Sequence, residues 1–473
     1  MKRVGKQGGG TRMETDSMGP MAVPTAALYG ASTARAVENF PISGAGIPAA
    51  VIRALGLIKW AAAEVNGALG LVPKGKTMAI AKAAQEVACG EWHEHFVVDV
   101  YQTGSGTSSN MNANEVIANR AALLLGKAIG SKAVHPNDDV NFGQSSNDVF
   151  PTAIHVAVAR EIVDQLLPAL AGLEKALKVK ARAFDKIVKA GRTHLQDATP
   201  IRLGQEFSGY AHQIRLSQER LQATLPRLYE LPLGGTAVGT GVNTHPQFAQ
   251  KTIAKLRQAT GIGFRETRNH FQAQAAPDVF VELAGQLVAT AVAMTKIAND
   301  IRWLASGPRC GLGELILPAV QPGSSIMPGK INPVILESVI QLSARVIANG
   351  TAVTLGGQGG YFELNVMYPL MADALCESIA LLTAGAKNFA EKCVTGLKAD
   401  AARCAALLEQ NLTVGTSLAP VIGYDAAAKI IKEAFANGST LREVAEKRTD
   451  LSQAQLAVLL DPSQHTRPGI PKR

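Results

Sequence analysis

Residues 283–304 read LAGQLVATAVAMTKIANDIRWL. Leu283, Leu287, Met294, Ile297, Ile301 and Leu304 recur at helical spacing. Ala, Val and Thr fill most of the other positions, and the first charge after Glu282 is Lys296. A helix that is apolar almost all round belongs in the middle of a bundle rather than on a surface. Two more stripes repeat the pattern. Ile154, Val158, Ile162 and Leu166 recur every fourth residue, and Leu170, Leu173 and Leu177 continue the stripe; Pro168 between them predicts a kink or a fresh helix start. Leu336, Val339, Ile340, Ser343, Val346 and Ile347 form the third. One chain of this size rarely buries such helices on every side. The pattern therefore predicts an all-α fold whose long-helix bundle is shared between subunits.

Composition narrows the function. Of 473 residues, 47% are hydrophobic and 18% charged, which excludes a disordered chain. Aromatics are only 5%, so the apolar mass is aliphatic and suits packed helices better than a β-sandwich. The net charge is +9. The positive residues are scattered, apart from the first few residues and the segment Thr466–Arg473, and no basic face interleaved with aromatics marks a nucleic-acid binder. Cys89, Cys310, Cys376, Cys393 and Cys404 are widely spaced, with no C-x-x-C pair for zinc, an iron–sulfur cluster or a redox dithiol; free thiols in a reducing cytoplasm are expected. No uncharged apolar run reaches the ~18 residues of a membrane span, and the N-terminus lacks the apolar core of a secretory signal. Neither a membrane nor a nucleic-acid partner is expected, and the expected location is cytoplasmic.

Several polar segments interrupt the helices. The densest is Gly323-Ser324-Ser325-Ile326-Met327-Pro328-Gly329-Lys330-Ile331-Asn332-Pro333. It reads as a mobile loop entering a helix, with Asn332 as N-cap, Pro333 at the first helical position and Glu337 one turn in. Free N–H groups at a helix start, beside Lys330, suit a carboxylate; an ordinary capped loop fits the same residues. His194, in Gly191–Pro200, lies among polar residues at what reads as a helix end, and histidine titrates near neutral pH. Thr103–Asn110, and His135–Asn141 followed by Gln144–Asp148, are dense in hydroxyls and amides that suit an anion cradle or plain turns. His93-Glu94-His95 has no third ligand of matching spacing and reads as a surface turn. Residues 1 to about 20 read as a tail, and Thr440–Leu460 reads as helical.

Taken together these segments resemble the fumarase/aspartase superfamily. The Gly323–Pro333 loop is similar to its signature, and the likeness runs from about Thr11 onward. Gln102-Thr103-Gly104-Ser105-Gly106-Thr107 and Ser145-Ser146-Asn147 are similar to the class II fumarase branch. Phe142-Gly143 departs from the Lys-Ser usual there, and Pro277 before Asp278 is also unusual. The resemblance implies three domains in an all-α fold: a flexible tail over residues 1–12, an N-terminal domain over 13–146, a central helical bundle over 147–405 and a small C-terminal helical domain over 406–473. It further implies a homotetramer whose active sites draw segments from three subunits.

The implied reaction is the reversible hydration of fumarate to L-malate, a hydro-lyase step of the tricarboxylic acid cycle that uses no metal and no cofactor. On the family pattern Ser324 is the base, and His194, oriented by Glu337, handles the water. Substrate-binding residues carried over are Ser105, Gly106, Thr107, Ser145, Ser146, Asn147, Thr193, Ser325, Lys330, Ile331 and Asn332. His135, Pro136, Asn137 and Asp138 match a second dicarboxylate site. Aspartate ammonia-lyase, with the same scaffold and base, is the alternative. A non-catalytic relative is a third reading, although it should have lost Ser324, His194 or Lys330.

Overall fold

The computed structural model describes residues 10–469. Strands β1 (Thr11–Asp16) and β2 (Gly19–Pro24) form an antiparallel hairpin. Helices α1 (Ala31–Asn39), α2 (Ala49–Ala68), α3 (Lys74–Cys89), α4 (Thr107–Leu124), α5 (Ser146–Glu161) and α6 (Leu167–Ala183) follow. A second hairpin, β3 (Val188–Thr193) with β4 (Gln196–Arg202), leads into α7 (Leu203–Leu228), α8 (Phe248–Thr260), α9 (His270–Ala275) and α10 (Asp278–Leu304). Helices α11 (Val334–Gly357) and α12 (Tyr368–Phe389) precede five short ones: α13 (Ala401–Glu409), α14 (Ala419–Ile422), α15 (Tyr424–Asn437), α16 (Leu441–Arg448) and α17 (Gln453–Leu459). The fold is all-α, with only small two-stranded sheets among the described residues.

The chain divides into two compact units. The first comprises the described part of Met1–Pro168 with Ser217–Ala291 and Leu342–Thr383. Here α2 packs on α3, α5 and α8, and Val51, Leu55, Ile58, Ile80, Val116, Phe150 and Ile154 are buried. The second comprises Ala169–Leu216, Val292–Gln341 and the described part of Ala384–Arg473. Its core includes Leu173, Leu203, Phe207, Ile297, Ile301 and Phe389. A separate apolar cluster, with Leu418, Ile430, Ala445 and Leu456 at its centre, holds the C-terminal helices together.

The long apolar helices are where the sequence puts them. Helix α10 covers the whole of Leu283–Leu304. Pro168 does not open a fresh helix: α5 ends at Glu161, a π-helical turn spans Ile162–Leu166 and α6 follows from Leu167 with the backbone helical throughout, so the interruption before the proline is a π turn rather than a break. Two readings change. The expected tail is not unstructured throughout, because Thr11–Pro24 pairs as a hairpin, with Arg12 bonded to the carbonyls of Pro24, Thr25 and Tyr29; residues 1–9 and the basic end 470–473 lie outside the described residues. Thr440–Leu460, which reads as helical, forms two helices, each opened by a capping box, at Thr440 and at Ser452. His93–His95 is a half-buried 3-10 turn rather than a surface one: His95 Nδ1 accepts from the Leu28 N–H, and burial lowers the pKa of both histidines.

Two helical stretches, Asp278–Leu304 and Tyr368–Val394, are long and apolar enough to cross a membrane by length and composition. They do so despite the charges that break up any uninterrupted apolar run. Their most apolar windows are 44% and 67% buried inside the chain, as core helices are.

Candidate active site

In the first unit the polar segments converge on two helix starts. Thr107 is the first residue of α4 and Ser146 the first of α5, and their hydroxyl oxygens lie 2.7 Å apart. Ser105 extends the chain, with its Oγ 2.8 Å from Thr107 Oγ1. Two helix N-termini therefore meet, each with free N–H groups and the positive end of its dipole, which is a setting for carboxylates.

Tight backbone geometry allows this approach. Gly106 has φ +75°, and a Cβ there would lie 2.2 Å from the Phe150 ring. A Cβ on Gly104 would lie 1.7 Å from the carbonyl oxygen of Val366. No other residue fits either position.

The start of α5 is fixed by a capping box. Ser145 Oγ accepts from the Asn147 N–H at 3.2 Å, and Asp148 Oδ1 accepts from the Ser145 N–H at 2.9 Å. Asp148 is fully buried, and its Oδ2 accepts from the N–H groups of Gly234 and Thr236 at 2.8 and 3.1 Å. Burial raises its pKa, while these N–H groups and Lys59 oppose the rise. Asn147 Nδ2 donates to the Ala237 carbonyl at 2.8 Å. The glycine-rich Leu233–Gly241 stretch is thus a buttress for the Ser145–Asn147 segment.

His135–Asp138 opens a short π-helical turn, Pro136–Val140. The His135 N–H donates to Asp139 Oδ2 at 2.7 Å, and Lys76 pairs with the same oxygen at 2.7 Å. His135 Nδ1 accepts from the Asp138 N–H. His135, Pro136 and Asn137 border a cavity of about 270 Å³ that Glu14, Asp16 and Lys132 also line. Its three carboxylates are already partnered, Glu14 by Arg12, Asp16 by Arg35 and Glu115 by the N–H groups of Gly30, Ser32 and Thr33.

The second unit carries the other group. His194 sits at the tip of the β3–β4 hairpin and not at a helix end, as the sequence reading had it. Thr193 pairs with Gln196, leaving His194 and Leu195 as a two-residue turn with φ +57° and +59°. Such turns favour Asn-Gly or Gly-Gly. Two side-chain-bearing residues in the left-handed region cost on the order of 1–2 kcal/mol each, and strain of this kind collects at functional sites. The result is a His194 and a Thr193 that face solvent.

The hairpin is anchored from beneath. Arg192 makes two 2.9 Å bonds to Glu314, which is fully buried, and Lys189 lies 3.3 Å from Glu314 and 3.5 Å from Glu206. Burial raises the Glu206 pKa, and Lys189 opposes it.

The Gly323–Asn332 loop is closed on itself. The Gly323 N–H donates to the Lys330 carbonyl at 2.9 Å, and Asn332 Nδ2 donates to the Gly323 carbonyl. The Asn332 side chain therefore ties the loop's two ends together, where the sequence suggests a helix cap. Inside, Ser324 Oγ accepts from the N–H groups of Ile326 and Met327 at 3.3 and 3.1 Å. Ser325, Lys330 and Ile331 are exposed, and Glu337 is half-buried in the first turn of α11. Among the described residues no hydrogen bond joins His194 to Glu337.

Sequence reasoning found the hydroxyl and amide segments but not what supports them. Asn110, Asn141 and Asp148 lie at the ends of the quoted segments without a role of their own, and nothing in the sequence reading singles out Lys59 or Glu314. The one signal for Lys59 was a lysine inside the apolar run Leu57-Ile58-Lys59-Trp60-Ala61. Among the described residues, no group of three or more His, Cys, Asp or Glu side chains is placed to hold a metal ion.

A bundle of long helices with polar loops of this kind is the architecture of a lyase family, and the family model described as "Lyase" matches residues 19–348. A second model, "Fumarase C C-terminus", matches residues 415–467. The chain is 52% identical to the class II fumarate hydratase of Halobacterium salinarum over 459 residues, covering 97% of this chain and 98% of that one. It is 53% identical to the mitochondrial fumarate hydratase of Rattus norvegicus over 437 residues, covering 92% and 86%. The crystal structure of class II fumarase from Schistosoma mansoni superposes with a TM-score of 0.94 at 38% identity, covering 96% of this chain and 98% of that one. The chain belongs to the class II fumarate hydratase family.

Proposed function

We propose that this chain catalyses the reversible hydration of fumarate to L-malate. The observation that carries the site assignment is the meeting of two helix starts at Thr107 and Ser146, a cradle for a carboxylate. In the malate direction a base removes the proton next to one carboxylate, and hydroxide leaves from the neighbouring carbon. The hard species is the carbanion, whose charge spreads onto that carboxylate. Stabilising charge where it develops is the largest part of such catalysis. Lys330, Asn332, Ser325 and Ile331, at the entry to α11, take that task.

Ser324 is the proposed base. A neutral hydroxyl is a poor base, so it acts as an oxyanion, and the two N–H groups aimed at its Oγ support that state. His194, with Thr193 beside it, handles the leaving water, and Glu337 orients its ring. Ser105, Gly106, Thr107, Ser145, Ser146 and Asn147 hold the substrate carboxylates. His135, Pro136, Asn137 and Asp138 form the second dicarboxylate site.

The complete site is proposed to assemble in a homotetramer. Its Glu337–His194 pairing would then be made between chains. The N-terminal, central and C-terminal boundaries at residues 146 and 405 are kept as proposed limits of three domains, and a cytoplasmic location is proposed with them. The aspartate ammonia-lyase reading gains no support from the relatives described.

The deciding experiment follows the ultraviolet absorbance of fumarate with purified protein. Absorbance should rise with L-malate and stay flat with L-aspartate. A rise with aspartate alone refutes the assignment.

A further inference from the structure

Lys59 lies on α2 with no exposure to solvent, among Leu55, Ile58 and Ala62. A buried ammonium is costly, and an apolar side chain of similar volume would fill the same space without that cost. Its contacts show what it holds. Lys59 Nζ donates to Asn141 Oδ1 at 2.7 Å and to Gln144 Oε1 at 3.0 Å. Asn141 Oδ1 also accepts from Asn110 Nδ2 at 3.2 Å, and Asn141 Nδ2 donates to the Gln144 carbonyl at 3.1 Å. Gln144 Nε2 in turn donates to the Val140 carbonyl at 3.1 Å. Asn110 stands one turn beyond Thr107 on α4, and Gln144 directly precedes Ser145. One ammonium therefore ties together the roots of both helix starts that meet at Thr107 and Ser146.

We infer that Lys59 is a positioning residue that sets the two carboxylate-holding segments, Ser105–Thr107 and Ser145–Asn147, against each other. The inference rests on the dicarboxylate reading of those segments. Lys59 touches none of their hydroxyls; it acts through Asn141 and Gln144. Its close partners are the two amide oxygens of Asn141 and Gln144, and burial brings its pKa down to about 7 against the pull of the buried Asp148 carboxylate.

The test compares four variants of the full chain by steady-state kinetics with L-malate and fumarate, and by thermal unfolding. Lys59→Met should raise KM for both substrates by roughly ten- to a hundredfold, the scale on which small misplacements act, while kcat falls much less. Lys59→Gln keeps an N–H donor for one of the two acceptors and should raise KM less. Leu55→Ala, on the same helix, should lower the unfolding temperature and leave KM alone, which separates positioning from mere support of α2. Asn147→Ala should raise KM. If Asn147→Ala raises KM and Lys59→Met does not, the inference fails and the site reading stands. If Asn147→Ala leaves KM unchanged, the site reading fails and the inference with it. Should Lys59→Met not fold, the contrast of Lys59→Gln with Leu55→Ala decides: equal KM values overturn the inference.

Discussion

On the proposed mechanism Ser324 is the base and His194 handles the water, and their surroundings suit different tasks. Ser324 Oγ receives two backbone N–H groups inside a loop pinned at both ends, a preorganised environment for negative charge. Ser324→Ala should therefore lose most of its kcat while KM changes little, because the carboxylate-holding groups remain. His194→Asn should cost less, within the ~10²–10⁴-fold typical of general acid–base groups. Glu337→Gln should act in the same direction, and the double variant should fall short of the product of the single losses if the two act as the proposed unit. Rates at saturating malate check all of these; a Ser324→Ala enzyme with most of its kcat would shift the base role to His194. The strained turn predicts a separate effect. Leu195 is exposed and left-handed, so Leu195→Gly should raise stability by roughly 1 kcal/mol by relieving that strain. Thermal unfolding reads this directly, and an unchanged or lower midpoint refutes it.

Among the helices, α5 combines a functional start with a buried histidine further along. His155 is buried, its ring packs tilted against Phe280 with centroids 4.7 Å apart, and its Nδ1 donates to the Leu228 carbonyl at 2.7 Å. Burial lowers its pKa from the ordinary value to about 4, although the carbonyl contact opposes the shift. The unfolded chain takes up this proton near pH 6.5. Between about pH 6.5 and 4 the unfolded state therefore binds more protons than the folded one, and stability falls as pH drops through that window. Above it both states are neutral, and below it both are protonated. The contribution lost is on the order of 3 kcal/mol. His155→Phe removes the titrating group, so unfolding measured across this range should show a shallower acid dependence than wild type. An identical dependence would assign the acid sensitivity elsewhere. The β3–β4 hairpin depends on a comparable buried element, because removing Glu314 would leave Lys189 and Arg192 without their shared carboxylate.

Across the assembly, the exposed apolar positions call for a partner. Val292 on α10, Ile347 and Leu355 on α11, and Trp303 near the end of α10 are 53%, 40%, 56% and 53% exposed in the lone chain. Long helices that are apolar on their outer faces suit a bundle whose remaining neighbours would come from other subunits, as in the proposed homotetramer. The expected outcome in light scattering is a particle four times the 49.6 kDa chain mass; a mass equal to the lone chain refutes the tetramer. Activity should also survive treatment with a chelator, since no described cluster of side chains is placed to hold a metal. Loss with EDTA, restored by added iron or magnesium, would overturn the metal-free mechanism.

The all-α class, the long bundle helices and the polar segments were legible in the residues themselves, because helical periodicity and hydroxyl-rich helix starts are local properties of the chain. The hydroxyl-rich segments around Thr107 and Ser145–Asn147 stand out for the same reason, whereas the roles of Ser324 and His194 come from the family resemblance, since local pattern leaves both open. Local pattern could not show that Thr107 and Ser146 touch, since 38 residues lie between them in the chain. Nor could it show that His194 sits on a strained two-residue turn, because nothing in His-Leu favours that geometry; pairing of the flanking strands, anchored through Arg192 on Glu314, imposes it. Lys59 looked like one charge on an apolar helix. Only the packing of α2 against α5 turned it into the shared anchor of two distant segments, because a buried ammonium must find its acceptors wherever the fold brings them.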